Sequence, residues 1–278
     1  MTVHVDVMNI MSKLKSAEQS FAVATVVRTV SVTAAKAGAK GIIMPDGSIV
    51  AGWIGGGCAR AAVLKAARQA LADGQPRLVS ILPEELMADQ GVGQGEERDG
   101  TTFFANGCPS KGTMDIFVEP VLPRPALVIL GASPVALALA ALGRQFGYHV
   151  ELAAPRGDLT TAPDCDRLTD GFAIEPPEQG RRYVVISTQG RGDHPAMEAA
   201  LALEADYYGF VGSRRKFAAL RARLPADGPA GDRLDHVKAP AGIDIGAIAP
   251  DEIALSILAE IVAVRRGRQR AAAAQAKD

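Results

Sequence analysis

Val128-Ile129-Leu130-Gly131-Ala132-Ser133-Pro134-Val135-Ala136 joins an apolar strand to a helix through a single glycine turn. The run 126–130 is apolar and short, and 134–146 has the length and composition of a helix. A strand, a glycine and a helix start in that order form the place where a dinucleotide rests its pyrophosphate on a helix N-terminus. The stretch is a degraded form of the G-x-G-x-x-G pattern. Ser133 stands at the second glycine and Ala136 at the third, where alanine is accepted. The next strand, 149–153, leads into Ala154-Pro155-Arg156. An acid that would hold a ribose belongs about 20 residues after the first glycine. Ala154 stands there instead, and Arg156 is placed to meet a phosphate.

Working outward, 183–187 reads as a strand, 195–203 as a helix and 207–211 as a strand. Residues 214–224 and 250–266 read as helices, and 271–278 as a frayed tail. Strand and helix alternating in this way predict a Rossmann-like, doubly wound parallel sheet. Ligands of such sheets bind beyond the carboxyl ends of the strands. The loops that reach that end include Thr188-Gln-Gly-Arg-Gly-Asp-His194 and Gly212-Ser213-Arg214-Arg215-Lys216. Ser213 is an expected N-cap. Three cations then open the helix against its dipole, and a bound anion would offset that cost. His194 reads as a loop residue, because nothing pairs it with a nucleophile.

Pro120-Val-Leu-Pro-Arg-Pro125 breaks both helix and sheet and marks a linker. The expected domains are 1–122 and 123–278. In the first, 5–20 reads as a helix with Val7, Ile10, Met11 and Leu14 on one face. Residues 22–29 read as a strand, and 40–44 and 48–54 as a hairpin around Pro45-Asp46-Gly47. Residues 59–72 form an alanine-rich helix that stops at Asp73-Gly74. A strand at 77–81, a polar loop over 87–101 and a strand at 112–121 complete an α/β unit.

That unit carries Gly55-Gly56-Gly57-Cys58 directly before its helix. A helix start directs unpaired N–H groups and positive dipole at the spot. A thiol there ionises more easily, and the thiolate is the form that binds soft metals. Arg28 and the Lys36–Lys40 run are cations expected along the same surface. Cys108 lies in Asn106-Gly107-Cys108-Pro109-Ser110-Lys111-Gly112, where Lys111 favours its thiolate. Cys165 reads as incidental.

The chain has 278 residues, a formal net charge of -1, 48% hydrophobic and 22% charged residues. That balance describes neither a basic nucleic-acid binder nor an acidic disordered chain. Three cysteines do not make a disulfide framework. No Cys/His cluster has zinc spacing. No signal-peptide pattern and no apolar run of about 20 residues appear, so a cytoplasmic location without a membrane span is expected.

Taken in order, these motifs resemble the XdhC/CoxI family, accessory proteins that mature molybdenum hydroxylases such as xanthine dehydrogenase and aerobic carbon monoxide dehydrogenase. The N-terminal likeness rests on Ala24-Thr-Val-Val-Arg28, Ala37-Gly-Ala-Lys40, Pro45-Asp-Gly-Ser48 and Gly55-Gly-Gly-Cys58. The run from Asn106 to Gly112 is similar to the carbon monoxide dehydrogenase branch. The C-terminal likeness rests on the Gly131 loop, Gly209-Phe-Val-Gly-Ser-Arg-Arg215, Ala239-Pro-Ala-Gly-Ile-Asp244-Ile-Gly246 and the run from Pro250 to Glu260. Family loops commonly show glycine where Ser133 stands and aspartate where Ala154 stands.

The resemblance implies a protein that binds the molybdenum cofactor, as molybdopterin or its cytosine dinucleotide. It also implies support for the cofactor's sulfuration and insertion into an apo-hydroxylase, with no steady turnover of a small substrate. The implied cofactor contacts are Cys58, Gly55, Gly56, Gly57, Arg28, Lys40, Cys108, Lys111, Gly131, Ser133, Gly212, Ser213, Arg214 and Asp244. Cys58 is the implied molybdenum contact. The implied partners are the apo-hydroxylase, a cysteine desulfurase and a second copy of the chain. Two alternatives stay open on sequence: an NAD(P)-dependent oxidoreductase, and a structural partner that docks on the hydroxylase with no cofactor.

Overall fold

The computed structural model describes residues 7–107, 111–174, 180–224 and 228–275. The chain forms two units, Met1–Pro123 and Arg124–Asp278.

Unit 1 begins with α1 (Val7–Ser16), followed by β1 (Phe21–Val30), β2 (Lys40–Ile43) and β3 (Ile49–Gly52). Then come α2 (Gly57–Asp73), β4 (Arg77–Leu82), α3 (Glu84–Gln90), β5 (Glu97–Arg98), β6 (Thr101–Ala105) and β7 (Thr113–Val121). The seven strands form one sheet in the order β3-β2-β1-β7-β4-β6-β5. Strands β4 and β6 are parallel, whereas β1 is antiparallel to both β2 and β7.

Strand alternation sends alternate side chains to opposite faces. Ala22, Ala24 and Val26 of β1, Val79 and Ile81 of β4, and Met114, Ile116 and Val118 of β7 face α2. Helix α2 lays Ala62, Val63, Ala66, Ala67 and Ala70 against them. Burying a valine such as Val63 contributes about 1.5–3 kcal/mol, and the alanines let helix and sheet approach closely. On the other face, Val7, Ile10, Met11 and Leu14 of α1 cover Phe21, Val23, Ile42 and Ala51. Asp73 ends α2: its carboxylate accepts from Gln75 N at 2.9 Å and pairs with Arg77.

The polar stretch 87–101 is not one loop. Helix α3 and strands β5 and β6 occupy parts of 84–105, and Met87 and Val92 are buried with Leu82. Glu84 and Glu85 favour the start of α3 through the helix dipole. Strand β6 exists because it pairs with β4, from Leu78↔Thr101 to Leu82↔Ala105.

Unit 2 comprises β8 (Ala126–Leu130), α4 (Pro134–Gln145), β9 (His149–Ala154), β10 (Arg167–Asp170), β11 (Arg182–Ile186) and α5 (Asp193–Ala202). It continues with β12 (Tyr207–Phe210), α6 (Arg214–Arg221), α7 (Gly228–Asp235), β13 (Val237–Lys238) and α8 (Pro250–Gln275). Its sheet runs β10-β9-β8-β11-β12-β13, and every pair in it is parallel. Counted within the unit, that is the order 3-2-1-4-5-6 of a Rossmann fold. One core lies between the sheet and α4 with α8, and a second lies under α5 with α6. Helix α8 runs through residues 271–275, where the sequence predicts a frayed tail. Ala271–Ala274 are strong helix formers and carry the helix on.

Candidate functional site

The glycine turn that opens α2 in unit 1 and the one that opens α4 in unit 2 differ. In unit 1, Gly56 is the N-cap of α2, with φ −104° and ψ 179°, and no side chain caps the helix. Gly55 and Gly57 have φ of 107° and 47°, a region that suits glycine. A Cβ at Gly56 or Gly57 would meet nothing within 4 Å, whereas one at Gly55 would lie 3.3 Å from Ala59 Cβ. The first turn of α2 carries no acid. An uncapped helix start, with no acid in its first turn and with room beside Gly56 and Gly57, is the arrangement that attracts an anion. Cys58 is the second residue of α2, and its side chain lies outside the described residues.

Strand register brings several loops to this end of the sheet. Val30 at the end of β1 pairs with Thr113 at the start of β7, and β2 and β3 bring Lys40 and Gly52 to the same end. The segment 31–35 ties the loops together. Trp53 Nε1 donates to Ala34 O at 3.3 Å, which joins it to the glycine turn. Val32 forms a bridge with Lys111, and a Cβ at Gly112 would overlap the Val32 carbonyl. Asn106 Nδ2 donates to Gly112 O at 2.6 Å and closes the 106–112 run. Trp53 beside the glycine turn and Lys111 with Gly112 thus both lean on residues 31–35. Cys108 itself lies outside the described residues.

The cations singled out from the sequence are placed differently. Arg28 Nε donates to Asp115 Oδ2 at 2.5 Å, and Ser80 Oγ donates to Asp115 Oδ1 at 2.7 Å. Lys40 Nζ donates to Thr25 Oγ1 at 2.9 Å. Thr25, Ser80 and Asp115 alternate with residues that face α2, so they point to the α1 side of the sheet. The bulge between Val26 and Arg28 puts Arg28 on that side too. The sheet therefore stands between Arg28 with Lys40 and the start of α2. Lys111 is bound to Glu85 of α3. That contact holds the Glu85 carboxyl below its usual range and the Lys111 ammonium above it.

The turn of unit 2 is closed. Gly131 has φ 122°, and a Cβ there would overlap the Ser187 carbonyl. The crevice between β8 and β11 is the switch point of the fold, where a dinucleotide enters. Ser133 caps α4, its Oγ accepting from Ala136 N at 3.1 Å. The same hydroxyl lies 2.6 Å from Ser187 Oγ, and the pair is buried. Pro134 at the first helical position has no N–H to offer. Of the donors that a pyrophosphate would use here, Ala136 N is taken by the Ser133 hydroxyl, Ser133 N turns to the Ser187 carbonyl at 3.4 Å and Pro134 offers none. Ala154 is buried at the end of β9. The acid stands one strand over: Asp170 is in register with Ala154, accepts from Arg156 N at 3.0 Å and pairs with Arg156 Nε at 3.5 Å. Arg156 is therefore held by its own protein.

At the neighbouring loops, Asp193 accepts from Thr188 Oγ1 and lies 2.8 Å from Lys216 Nζ. Burial pushes its carboxyl up, but Lys216 and Thr188 outweigh burial and hold it below the usual range. Ser213 caps α6 through Lys216 N at 3.2 Å. Gly212 packs on the Phe210 ring. Arg214 and Arg215 are exposed and make no ion pair among the described residues. Asp244 accepts from Gly246 N at 3.2 Å in an exposed loop after β13. Asp115, Ser80, Ser187 and Asp170 escaped the sequence reading, which quoted Asp193 within the Thr188–His194 loop but gave it no role. Ser187, a serine ending an apolar strand at the switch point, left the one usable signal.

Among the described residues, no cluster of three or more His, Cys, Asp or Glu could hold a metal ion. No helix of the described residues is long and apolar enough to cross a membrane.

The class is a two-unit α/β protein: an open glycine-turn unit followed by a Rossmann unit with a closed crevice. Residues 14–81 match the model of the XdhC and CoxI family, and residues 127–261 match that of the XdhC Rossmann domain. The chain belongs to the XdhC family. Its relatives include YqeB of Escherichia coli K12, described as uncharacterized, 30% identical over 91% of this chain and 45% of that protein. A Bacillus subtilis protein described as a probable xanthine dehydrogenase subunit is 27% identical over 55% of this chain and 47% of its own length. The chain thus spans about half the length of these curated relatives. A solved Bacillus halodurans structure, described as a xanthine dehydrogenase, aligns over 94% of this chain and 96% of that one. Its TM-score is 0.45 and its identity 20%.

Proposed function

We propose that this chain is a maturation factor for a molybdenum hydroxylase. It receives the molybdenum cofactor as cargo at the glycine turn of unit 1 and hands it to the apo-enzyme. The observation that carries this reading is the uncapped start of α2. Molybdopterin ends in a phosphate, and an uncapped helix start with room beside Gly56 and Gly57 suits that end. A soft-leaning metal suits a thiolate, the role assigned to Cys58. Trp53 and residues 111–112, which flank the two cysteine-bearing runs, contact residues 31–35, and this supports a role for the Cys108 sulfur in the same cargo transfer. Membership of the XdhC family supports the maturation role, as does the relative described as part of a xanthine dehydrogenase.

The finer parts of the proposal are sulfur supply by a cysteine desulfurase, action as a homodimer and service to a carbon monoxide dehydrogenase-type enzyme. Arg28 is held by Asp115 on the α1 side, so it stands away from the glycine turn and takes no part in the cargo contact there. The oxidoreductase reading has the Rossmann strand order in its favour. The Ser133–Ser187 pair, Pro134 and Ala154 count against it.

The test is pterin and molybdenum analysis of protein purified from a molybdenum-replete host. Wild type is expected to carry pterin, and Cys58→Ala to lose it. Equal pterin in both removes the role of Cys58, and no pterin in wild type removes the cargo reading.

A further inference from the structure

Unpartnered polar atoms of unit 2 gather at the edge opposite its ligand end, where the parallel strands begin. Tyr148 stands just before β9, and Tyr183 is the second residue of β11. Both are fully buried, with their rings edge to face at 5.8 Å. Neither hydroxyl has a hydrogen-bond partner. Arg265 of α8 lies over the Tyr148 ring, 5.3 Å from its centre. Its Nε is buried without a partner, and it makes no ion pair among the described residues. Beside them, Asp206 bonds Arg268 through Oδ1. Its Oδ2 lies 3.8 Å from Arg181 Nη1, beyond hydrogen-bond reach, and both of those atoms are buried and unpartnered.

The inventory is one-sided. Four orphan donors (Tyr148 Oη, Tyr183 Oη, Arg265 Nε and Arg181 Nη1) stand against two orphan acceptors, Asp206 Oδ2 and Glu151 Oε2. Glu151 alternates with the core residues Val150 and Leu152 and so lies on the other side of the sheet from Tyr148 and Tyr183. Two arginines, Arg181 and Arg268, lie against Asp206, and Arg265 pairs with no acid among the described residues. Burial raises both phenols, and Asp206 adds to the rise at Tyr183, which is pushed up to about 12, so both remain donors at neutral pH. A buried donor left unmet costs about 1–3 kcal/mol, and native interiors rarely leave several together. A half-buried guanidinium without a counter-charge adds to that cost. Water would satisfy the donors and leave the charge of Arg265 unbalanced.

We propose that Tyr148, Tyr183 and Arg265 form a site for one small inorganic anion at the strand-start edge of the Rossmann unit. Such a guest accepts from both phenols and from Arg265 Nε, and it ties α8 to the starts of β9 and β11. The class includes chloride, sulfate and inorganic phosphate.

The experiment measures hydrogen-exchange protection of the β9 and β11 amides in the full chain. Each of the three ions is titrated in turn at constant ionic strength. The expected result is a saturating gain in protection with at least one of them. Tyr148→Phe and Tyr183→Phe each weaken the apparent affinity about tenfold, as the loss of a charge-assisted bond predicts. Arg265→Gln abolishes the response. An identical response in wild type and all three variants reveals a general salt effect and overturns the proposal. A flat response in wild type also overturns it. Phenylalanine variants less protected than wild type would then identify ordered water, and variants equally protected would identify a dry pocket.

Discussion

The starts of α2 and α4 follow the same plan, a strand, a glycine turn and a helix, and they end in opposite states. At α2 the cap is a glycine, Gly56 and Gly57 have open space beside them and no side chain caps the first turn. At α4 the cap is a serine whose hydroxyl serves Ala136 N and lies against Ser187, and the next residue is a proline. Of the two, the turn that looks like a nucleotide fingerprint is the closed one. The lesson is that a phosphate site depends on unpaired donors and room, which strand order alone does not supply.

The largest effects are expected where the closed turn is forced open. Gly131→Ala combines a positive φ with an overlap on the Ser187 carbonyl. It should cost about 3 kcal/mol or more of stability, measured by denaturant unfolding. Gly56→Ala, at an ordinary φ and with space around it, should cost only about 1 kcal/mol or less, the loss of a glycine N-cap, in the same experiment. Equal losses would break the contrast between the turns.

Next in size is Ser133→Ala. It removes the α4 cap and leaves Ser187 without its hydroxyl partner, at a cost of about 1–2 kcal/mol. Calorimetry with NADH and NADPH should show no binding heat in wild type. Tight nicotinamide binding by wild type would contradict the closed reading of the crevice.

A smaller effect concerns pH. The folded-state pKa of Asp193 is depressed, so its contribution is present above the ordinary carboxylate range and is lost as pH falls through the lower folded value. Acid should therefore loosen the Thr188–Asp193–Lys216 tie. Asp193→Asn should flatten the acid limb of unit 2 stability, followed by hydrogen exchange at β11 and β12. An unchanged limb would show that the tie contributes nothing.

Local signals made part of this structure legible. The hairpin at Pro45-Asp46-Gly47, the alanine face of α2 and the alternation of unit 2 are written in short windows of sequence. The short elements were hidden. Strands β5, β6, β10 and β13 are two to five residues long and exist through pairing. At the candidate site, the glycines announced the turn. The alternation of β1 that turns Arg28 away from α2 depends on a bulge, which no local pattern marked. Asp115 and Ser187 reach Arg28 and Ser133 across 87 and 54 residues of chain, distances at which a sequence window sees nothing.

The central claim is that the anionic end of the cargo is received at α2 and not at α4. Gly56→Asp tests it most directly. Aspartate is a good N-cap, so the fold is kept, while its carboxylate takes the N–H groups and repels an anion. Pterin content is measured in wild type, Gly56→Asp and Ser133→Gly proteins purified from a molybdenum-replete host. The account predicts loss of pterin in Gly56→Asp and the wild-type level in Ser133→Gly. Pterin retained by Gly56→Asp, with a change in Ser133→Gly, would contradict it.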